Sequence, residues 1–469
     1  MRLKWKPQME ISFTRSHLKL TKEYYARYEA VSRVLDANPA IIDRVHEDLG
    51  ASLERENHQA GRERSFRYTS EQVLRILISQ VVEGESLRGI VVRIDDSQFL
   101  REFVRIHDGL MMDYTTLCKL KNAILPETWH EINRLLAVYS VEHDLISGDR
   151  VRLDTTAVES NIHWPTDSSL LWDTYRNLAR RLDHARKIDA DLVGTQRLHR
   201  RRVKRLHTKI SRTAGKKDQG RDSLKPLYKD LVDRVELICT WAERVAADLR
   251  ARRPSSHSTG QDQRALALAD AMNRDCESGR RVVEQARRRV LQGESVPNDE
   301  KLFSIFEEHT ELLKRGKAGK DIEFGHMIQL QQVEEKFITD YTVFEKKPVE
   351  HQLLVPALDK HKELFHAYPK ELSADKAYYE SRDALDELRH HVPIVAIGKK
   401  GKRTSHETEC EHDPLFQLAQ RFRAGIEGSI SFLKRVLRLY RCFNKGWKHF
   451  VATVGQTIFA HNLLILTRL

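Results

Sequence analysis

Glycine and proline are scarce in this chain, which has 21 glycines and 12 prolines among 469 residues. Because both residues interrupt regular elements, their scarcity predicts long helices with few breaks. Cysteine is scarce as well, and none of the five cysteines forms a C-x-x-C pair with another. An odd and scattered set is typical of a reducing compartment, so we expect a cytoplasmic protein whose thiols are ordinary small side chains.

Long apolar runs and a leader sequence are also missing. The first residues lack the apolar core of a signal peptide. The longest apolar run, 450–466, is interrupted by Gln456, His461 and Asn462. We therefore predict a buried terminal helix at this position and not a membrane span, in a soluble intracellular protein.

Positive charge is in excess, since 80 Lys and Arg face 68 Asp and Glu, for a net charge of +12 with His neutral. This balance indicates a polyanionic partner, with nucleic acid first and a membrane surface second. The length allows two to four domains and a substantial core. No P-loop, nucleotide-binding glycine motif or Ser-His-Asp order is found in the sequence.

Two aspartates lie in segments that predict strands. Residues 149–160 alternate apolar and β-branched side chains, and Asp154 is a poor β-former in their middle. A lone aspartate in a strand is more often a surface residue, so Asp154 alone carries little weight. Further along, residues 369–379 predict a short strand that ends at Asp375.

A helical and basic block, residues 175–319, separates these two strands. Its segments 227–251 and 263–291 have apolar residues at helical spacing, which predicts an antiparallel bundle. Its charge clusters lie at 200–205, 216–217 and 287–289. They are either solvated faces or phosphate contacts, and a DNA partner would favour the second interpretation. The candidates for phosphate contacts are Arg201, Arg202 and Lys204.

With this block set aside, the chain contains the strand with Asp154, a hairpin, a helix, the strand that ends at Asp375, a helix, a strand and a charged helix. We therefore predict an α+β, ribonuclease-H-like mixed sheet with flanking helices, a large all-α insertion after the first strand, and an all-α amino-terminal DNA-binding domain. The predicted domains are an amino-terminal helical segment at 1–64, the DNA-binding domain at 65–140, the catalytic domain at 145–174 and 320–469, and the insertion at 175–319.

Short helices joined by tight turns are predicted in the amino-terminal domain. Residues 69–72 are typical of a capping box that opens the first of these helices. We expect the last of them to present four polar residues on its outer side: Thr115, Thr116, Lys119 and Lys121. The pattern fits a helix-turn-helix DNA reader, and the alternative is a plain helical bundle with solvated lysines.

The last charged helix places three charges on a predicted apolar stripe. At about 100° per residue, Glu427 lies about 40° and Lys434 about 20° from Arg423, and Ile430 and Leu437 lie close to the same line. Because burying a charge is costly without a partner or a metal, this arrangement on a core-facing stripe favours a functional site. A buried Arg423–Glu427 ion pair at i,i+4 is the structural alternative.

Three motifs carry a resemblance to a known family. The spacing of Arg423, Glu427 and Lys434 resembles the carboxyl-terminal signature of the DDE transposases of bacterial insertion sequences. The strand of Asp154, with the residues up to 173, resembles the first-aspartate block of the ISNCY-type members, and Asp375-Lys376-x-Tyr378 resembles the second-aspartate block. The family has a tyrosine where this chain has Gln420, which puts the DNA contact of that tyrosine in doubt.

The resemblance implies a transposase that binds the ends of an insertion element and catalyses metal-dependent strand cleavage and strand transfer. Asp154, Asp375 and Glu427 would be the metal ligands, with Asp154 shared by two Mg²⁺ ions and Mn²⁺ as a substitute. Mg²⁺ prefers oxygen ligands, and paired ions can activate a nucleophile and stabilise a leaving oxygen. The residues expected to orient Glu427 or to contact DNA are Arg423, Lys434 and Lys376.

The expected partners are double-stranded DNA, as element ends and target, and a second copy of the chain in the synaptic complex, in a bacterial nucleoid. Two other functions remain open. The first is a domesticated, catalytically silent DNA-binding protein that retains the fold as a scaffold. The second is a ribonuclease or resolvase on the same fold, although the large helical insertion does not fit a minimal nuclease.

Other clusters have structural explanations. His406, Cys410 and His412 suggest a zinc clip, but no second half with matching spacing is visible. Asp149, Asp167 and Asp173 are rival carboxylates near the first strand. Asp149 precedes the strand and Asp173 is expected to open a helix, so capping explains them.

Overall fold

The computed structural model describes residues 4, 18–60, 67–107, 109–214, 223–252, 259–314 and 321–469. The predicted basic pair at 216–217 lies outside the described residues. The chain divides into two compact units. The sheet unit comprises Met1–Ser160 and Gly325–Leu469, and the helical unit comprises Asn161–Phe324, which contains the whole of the predicted insertion.

Seven α-helices precede the sheet among the described residues of the sheet unit. They are α1 (Lys19–Ala37), α2 (Pro39–Ala60), α3 (Ser70–Val82), α4 (Leu87–Asp96), α5 (Gln98–Phe103), α6 (Tyr114–Ala123) and α7 (Pro126–Glu142). The capping box predicted at the start of α3 is confirmed, because the Thr69 hydroxyl accepts from the Gln72 N–H and the Gln72 amide oxygen accepts from the Thr69 N–H. Gly84, with a φ of 61°, follows the end of α3.

The predicted α+β class is confirmed by a seven-stranded mixed sheet with many helices. The strands are β1 (Arg150–Ser160), β2 (Glu311–Lys314), β3 (Ile322–Val333), β4 (Ile338–Val343), β5 (Glu371–Ala374), β6 (Ile394–Ile397) and β7 (Arg441–Cys442). Within the sheet unit the order is β4-β3-β1-β5-β6, and β7 pairs with the end of β1. β3 runs antiparallel to β1 and β4, whereas β5 runs parallel to β1 and β6.

Helices cover both faces of this sheet. The described α-helices that follow β4 in the chain are α13 (Leu354–Phe365), α14 (Arg382–Arg389), α15 (Ser405–His412), α16 (Pro414–Arg435) and α17 (Trp447–Leu466). Alternate residues of β1 point to opposite faces. Leu153 packs in a core with Leu358 of α13 and Leu385 of α14. Val158 packs in another core with residues of α16 and α17.

The predicted buried terminal helix is α17. It is the one described helix long and apolar enough to cross a membrane, and 83% of its most apolar stretch is buried inside the protein. Its polar residues have partners in this core, since the Asn462 side chain bonds both the N–H and the C=O of Ile338, at 3.0 and 2.8 Å. The burial identifies α17 as a core helix.

The helical unit contains α8 (Asp167–Ile188), α9 (Ala190–Val193), α10 (Arg200–Ala214), α11 (Lys225–Ala251) and α12 (Thr259–Ala286), followed by a π-helical turn at Arg287–Leu291. α8, α11 and α12 share one apolar core. Arg280 pairs with Glu243, and Asp270 pairs with Arg250. Residues with higher numbers on α11 thus pair with residues with lower numbers on α12. The two helices are therefore antiparallel, as predicted.

Candidate active site

The register between β1 and β5 brings two aspartates side by side. Leu153 pairs with Ala374 in this parallel ladder, so Asp154 and Asp375 occupy the next position on each chain. The Asp154 carboxylate accepts from the Thr155 N–H at 2.7 Å. Asp375 follows the last residue of β5 and caps a short 3-10 turn by accepting from the Lys376 N–H, also at 2.7 Å. Both aspartates are therefore fixed by the backbone that carries them.

α16 lies across β1, β5 and β6 and brings Glu427 to this region. Buried Arg152, two residues before Asp154, donates to the carbonyl oxygen of Phe422 at 2.6 Å and to the Gln332 amide oxygen at 2.9 Å. The Ser429 hydroxyl donates to the same Gln332 oxygen at 3.2 Å. These bonds join two strands of the sheet to one face of α16, so they set the rotation of the helix.

Gln420 makes a second contact between α16 and the sheet, two residues before Phe422. Its amide nitrogen donates to the carbonyl oxygen of Ala396 in β6 at 2.6 Å and lies 3.4 Å from that of Ala374 in β5. Ala374 is the residue before Asp375. Gln420 is therefore a link between α16 and the strand ends.

Arg423 lies between two of the predicted metal ligands. Its Nη1 is 3.8 Å from Asp154 Oδ2, and its Nη2 is 3.3 Å from Glu427 Oε1. The side chains of Arg423 and Asp154 are only 17% and 16% exposed, but that of Glu427 is 67% exposed. One guanidinium thus supplies positive charge to a buried and to an exposed carboxylate.

The prediction that Glu427 lies on a core-facing stripe is wrong. The buried residues of α16 are Ala419, Ile426, Ser429 and Leu433. At about 100° per residue, Glu427 lies about 100° or more around the helix from the centre of this stripe. The charged line was assigned to the core because it contains Ile430 and Leu437. Ile430 is only half-buried, and buried Leu437 lies beyond the last residue of α16.

The surroundings of Asp154 disfavour its ionised form. Burial raises the pKa of Asp154 to about 6, and the negative charges of Asp375 and Glu427 add to this rise. The Thr155 N–H and the Arg423 guanidinium oppose it. Two like charges therefore oppose the ionisation of Asp154, and a further positive charge would stabilise its ionised form.

The donor set has the chemistry of a site for a hard divalent cation. Asp154, Asp375 and Glu427 offer only carboxylate oxygens, which Mg²⁺ prefers. As they stand, no three His, Cys, Asp or Glu side chains in the described part of the chain are grouped closely enough to hold a metal ion. The Glu427 side chain is 67% exposed, and its Oε1 lies 3.3 Å from Arg423 Nη2.

The other two predicted supporting residues flank this group. Lys376 is exposed and follows Asp375 directly. Lys434 is half-buried and lies in the last turn of α16, two turns beyond Glu427.

The expected outer side of α6 is only partly correct. Thr115 and Lys119 are exposed, and Thr116 is half-buried. Lys121 was expected to be solvated but is buried, because it lies on the same side of α6 as Leu117 and Leu120. Burial also lowers the pKa of Lys121 to about 8. The DNA contact predicted for this lysine therefore loses the outward position on which the prediction depended.

The two basic clusters of the helical unit differ in their partners. The exposed cations of α10 have no ion-pair partner among the described residues: Arg201, Arg202, Lys204, Arg205, Lys209 and Arg212. In contrast, Arg287 pairs with Glu236, Arg288 with Glu294 and Glu300, and Arg289 with Asp167. Of these two described clusters, only that of α10 therefore offers cations available to phosphates.

The rival carboxylates all have local partners. Asp149 pairs with Lys370 at 2.8 Å, and Asp167 pairs with Arg289. The expectation that Asp173 opens a helix is wrong, because α8 begins at Asp167 with Thr166 as its cap. Asp173 is buried inside α8 and lies 2.8 Å from Arg176 Nε and 3.4 Å from His163 Nε2.

The roles of Arg152 and Gln332 in positioning α16 were not predicted from the sequence. A charged residue two positions before Asp154 in a predicted strand lies on the same face, so Arg152 carried a usable signal. The sequence gives no local signal for Gln332, because its role depends on the pairing of Arg152 with Gln332 across β1 and β3.

No protein family, curated protein sequence or solved structure matches this chain.

Proposed function

We propose that this protein is a DNA transposase that cleaves and joins DNA strands with divalent metal ions, on a ribonuclease-H-like catalytic fold. The observation that carries the proposal is that Asp154 and Asp375 lie side by side at β1 and β5, while Arg423 of α16 links Asp154 to Glu427. The strand order, with helices on both faces, supports the fold assignment. The order of these three residues in the chain matches the motifs of the DDE transposases.

The carboxylates of Asp154, Asp375 and Glu427 would hold Mg²⁺. Bound there, paired Mg²⁺ ions would activate a water or a 3′-hydroxyl and stabilise the leaving oxygen of a phosphodiester. Arg423 would exchange its carboxylate partners for a phosphate oxygen of the DNA, because the cation would then neutralise the carboxylates. Gln420 and Arg152 would keep α16 in position while Glu427 moves.

Double-stranded DNA is the proposed partner. The unpaired cations of α10 support phosphate contacts, since each neutralised phosphate releases counterions. In α6, exposed Thr115 and Lys119 remain candidates for contacts from the amino-terminal helices. A second copy of the chain at paired element ends is proposed from the family resemblance.

The test is cleavage of DNA that carries the native flanks of the gene, with Mg²⁺, with EDTA, and with Glu427→Gln in Mg²⁺. We expect cuts at the flank ends with Mg²⁺ and none in the other two reactions. Glu277→Gln is a matched control, because Glu277 is exposed in α12 and has no ion pair with described residues. Equal cleavage by Glu427→Gln would contradict the assignment of Glu427.

A silent DNA-binding protein is the second candidate. It is favoured by the ionic link from Arg423 to Asp154 and Glu427, which satisfies these carboxylates without a metal. Binding of the flanks without cleavage in Mg²⁺ would select this function. Cleavage of RNA–DNA hybrids without preference for the flank ends would instead indicate a ribonuclease or resolvase.

A further inference from the structure

A cavity of about 180 Å³ lies at the edge of the sheet between α7, β4 and α13. We call it the edge cavity, and its polar lining includes Asn133, Gln331 and Lys360. Gln331 pairs with Leu153 across β1 and β3, whereas Asp154 pairs with the next residue, Leu330. Because neighbouring residues of a strand point to opposite faces, Gln331 lies on the other face of the sheet from Asp154. The edge cavity is therefore separate from the candidate active site.

Charged groups at the edge cavity are already matched. Lys360 Nζ bonds Asp340 Oδ2 at 2.8 Å, and His130 Nε2 lies 3.2 Å from the other oxygen of Asp340. At the rim, Arg134 pairs with Glu363 at 3.3 Å. A ligand that enters the cavity therefore needs no net charge of its own.

Two buried amides in the lining have unused hydrogen-bonding atoms. Gln331 is 3% exposed, and neither its nitrogen nor its oxygen has a partner among the described residues. Asn133 is 6% exposed; its nitrogen donates to the carbonyl oxygens of Trp129 and Gly455, but its oxygen has no partner in the described part of the chain. Buried polar atoms without partners are rare, because each costs the full desolvation of the group. The hydroxyl of Tyr341, which also lines the cavity, likewise has no partner among the described residues. Three such residues at one cavity indicate that something else supplies the missing bonds.

We propose that the edge cavity binds a neutral nucleobase or its nucleoside. The Gln331 amide offers a donor and an acceptor side by side, which matches the edge of a nucleobase, and the Asn133 oxygen accepts from an exocyclic or ring N–H. The lining also includes Ala137, Ile338 and Leu364, which suit the faces of a planar ring. The volume is below the roughly 300 Å³ of pockets for drug-sized ligands, which fits one ring system.

The test uses the full chain and measures Tm with adenosine, guanosine, cytidine, uridine and thymidine, each alone, and also with a short single-stranded oligonucleotide. We expect at least one of these additions to raise Tm by about 2 °C or more at saturating concentration. Gln331→Leu should abolish the shift. A shift with free nucleosides identifies a free ligand, and a Gln331-dependent shift with the oligonucleotide alone identifies a base of a nucleic acid.

Two controls make the result decisive. Without ligand, Gln331→Leu should keep or raise Tm, because it removes an unsatisfied buried amide. Gln263→Leu is the matched control, since Gln263 is exposed in α12, and it should leave the ligand shift intact. The proposal is overturned if no addition shifts Tm, if the shift persists in Gln331→Leu, or if a crystal structure with nucleosides shows only waters bonded to Gln331 and Asn133. None of these outcomes depends on Mg²⁺ or on strand cleavage, so they leave the proposed transposase function untouched.

Discussion

Arg152 donates a hydrogen bond to the carbonyl oxygen of Phe422, 2.6 Å away, and thereby joins the strand of Asp154 to the helix of Glu427. The guanidinium also lies over the Phe422 ring, 4.5 Å from its centroid. Arg152 is only 3% exposed, and burial, with a contribution from neighbouring Arg150, lowers its pKa to about 10. The relative positions of Asp154 and Glu427 therefore depend on buried Arg152, which is not itself a predicted metal ligand.

Replacing this cation should destabilise the sheet unit. Arg152→Ala removes charged hydrogen bonds and leaves a cavity, so we expect it to lower the free energy of unfolding by about 2 to 4 kcal/mol. Urea denaturation measures this change. Arg201→Ala is the control, because Arg201 is exposed and unpaired, and it should change stability by less than about 0.5 kcal/mol. Equal effects of the two substitutions would contradict the proposed role of Arg152.

Two glycines of α16 give a sharper test of the same contact. A Cβ at Gly425 would clash with the Arg152 guanidinium, whereas a Cβ at Gly428 would meet nothing within 4 Å. Gly425→Ala should therefore cost about 1 to 3 kcal/mol, because it displaces either α16 or a hydrogen-bonded Arg152. Gly428→Ala should stabilise by about 0.5 to 1 kcal/mol, since alanine favours helix. Urea denaturation of the two variants tests this expectation. If both substitutions changed the free energy of unfolding in the same direction, the close contact between Gly425 and Arg152 would not be the cause.

The raised pKa of Asp154 predicts a pH-dependent effect on stability. Its folded pKa is about 6 and its ordinary value 3.8, so the folded state binds more protons between these values. Wild-type stability therefore loses this contribution as pH rises from about 4 to 6. Asp154→Asn lacks the titration, and its advantage over wild type should grow from near zero at about pH 4 to about 2 to 3 kcal/mol above about pH 7.

Urea denaturation at several pH values checks this prediction, and an advantage that is independent of pH would contradict it. Asp386→Asn is a control whose effect on stability should depend on pH in the opposite direction, because the hydrogen bond from Arg389 lowers the pKa of half-buried Asp386. Mg²⁺ offers a second readout. At neutral pH it should raise the Tm of wild type more than that of Asp154→Asn, because only wild type has all three carboxylates.

Several strands and helices of the sheet unit were predictable because their patterns are local, but α7, α15 and β7 were not predicted. Alternation fixed β1 and the hairpin of β3 and β4, and the positions of Asp154 and Asp375 at strand sites followed from them. The rotation of α16 was not predictable. Ile426, Leu433 and Ile430 are all apolar, and which of them faces the core depends on the bonds of Arg152 and Ser429 to Gln332.

Long-range packing also explains the error at Lys121. In isolation α6 allows a solvated lysine at this position. In the fold, Lys121 lies near the thiol of Cys442, which follows it by more than 300 residues and belongs to β7. Such a contact has no signature in the local sequence. The unpaired state of the α10 cations was equally hidden, because it depends on where the acidic residues of the other helices lie.

The unpaired cations of α10 give a prediction about DNA binding. We expect the triple variant Arg201→Gln, Arg202→Gln, Lys204→Gln to weaken DNA binding and to reduce the slope of log K against log salt by about 2 to 3, because each lost phosphate contact removes about 0.9 from the slope. Binding measured by fluorescence anisotropy between about 50 and 200 mM salt tests this expectation.

A control with the same change in net charge separates local contacts from a general field. Arg280, Arg281 and Arg288 pair with Glu243, Glu308 and Glu294, so their charges are already neutralised. Replacing these three by Gln should change the slope by less than about 1, since no phosphate contact is lost. If both triple variants reduce the slope equally, net charge and not α10 binds the DNA. If neither does, the DNA contacts lie elsewhere, with exposed Thr115 and Lys119 of α6 as the next residues to test.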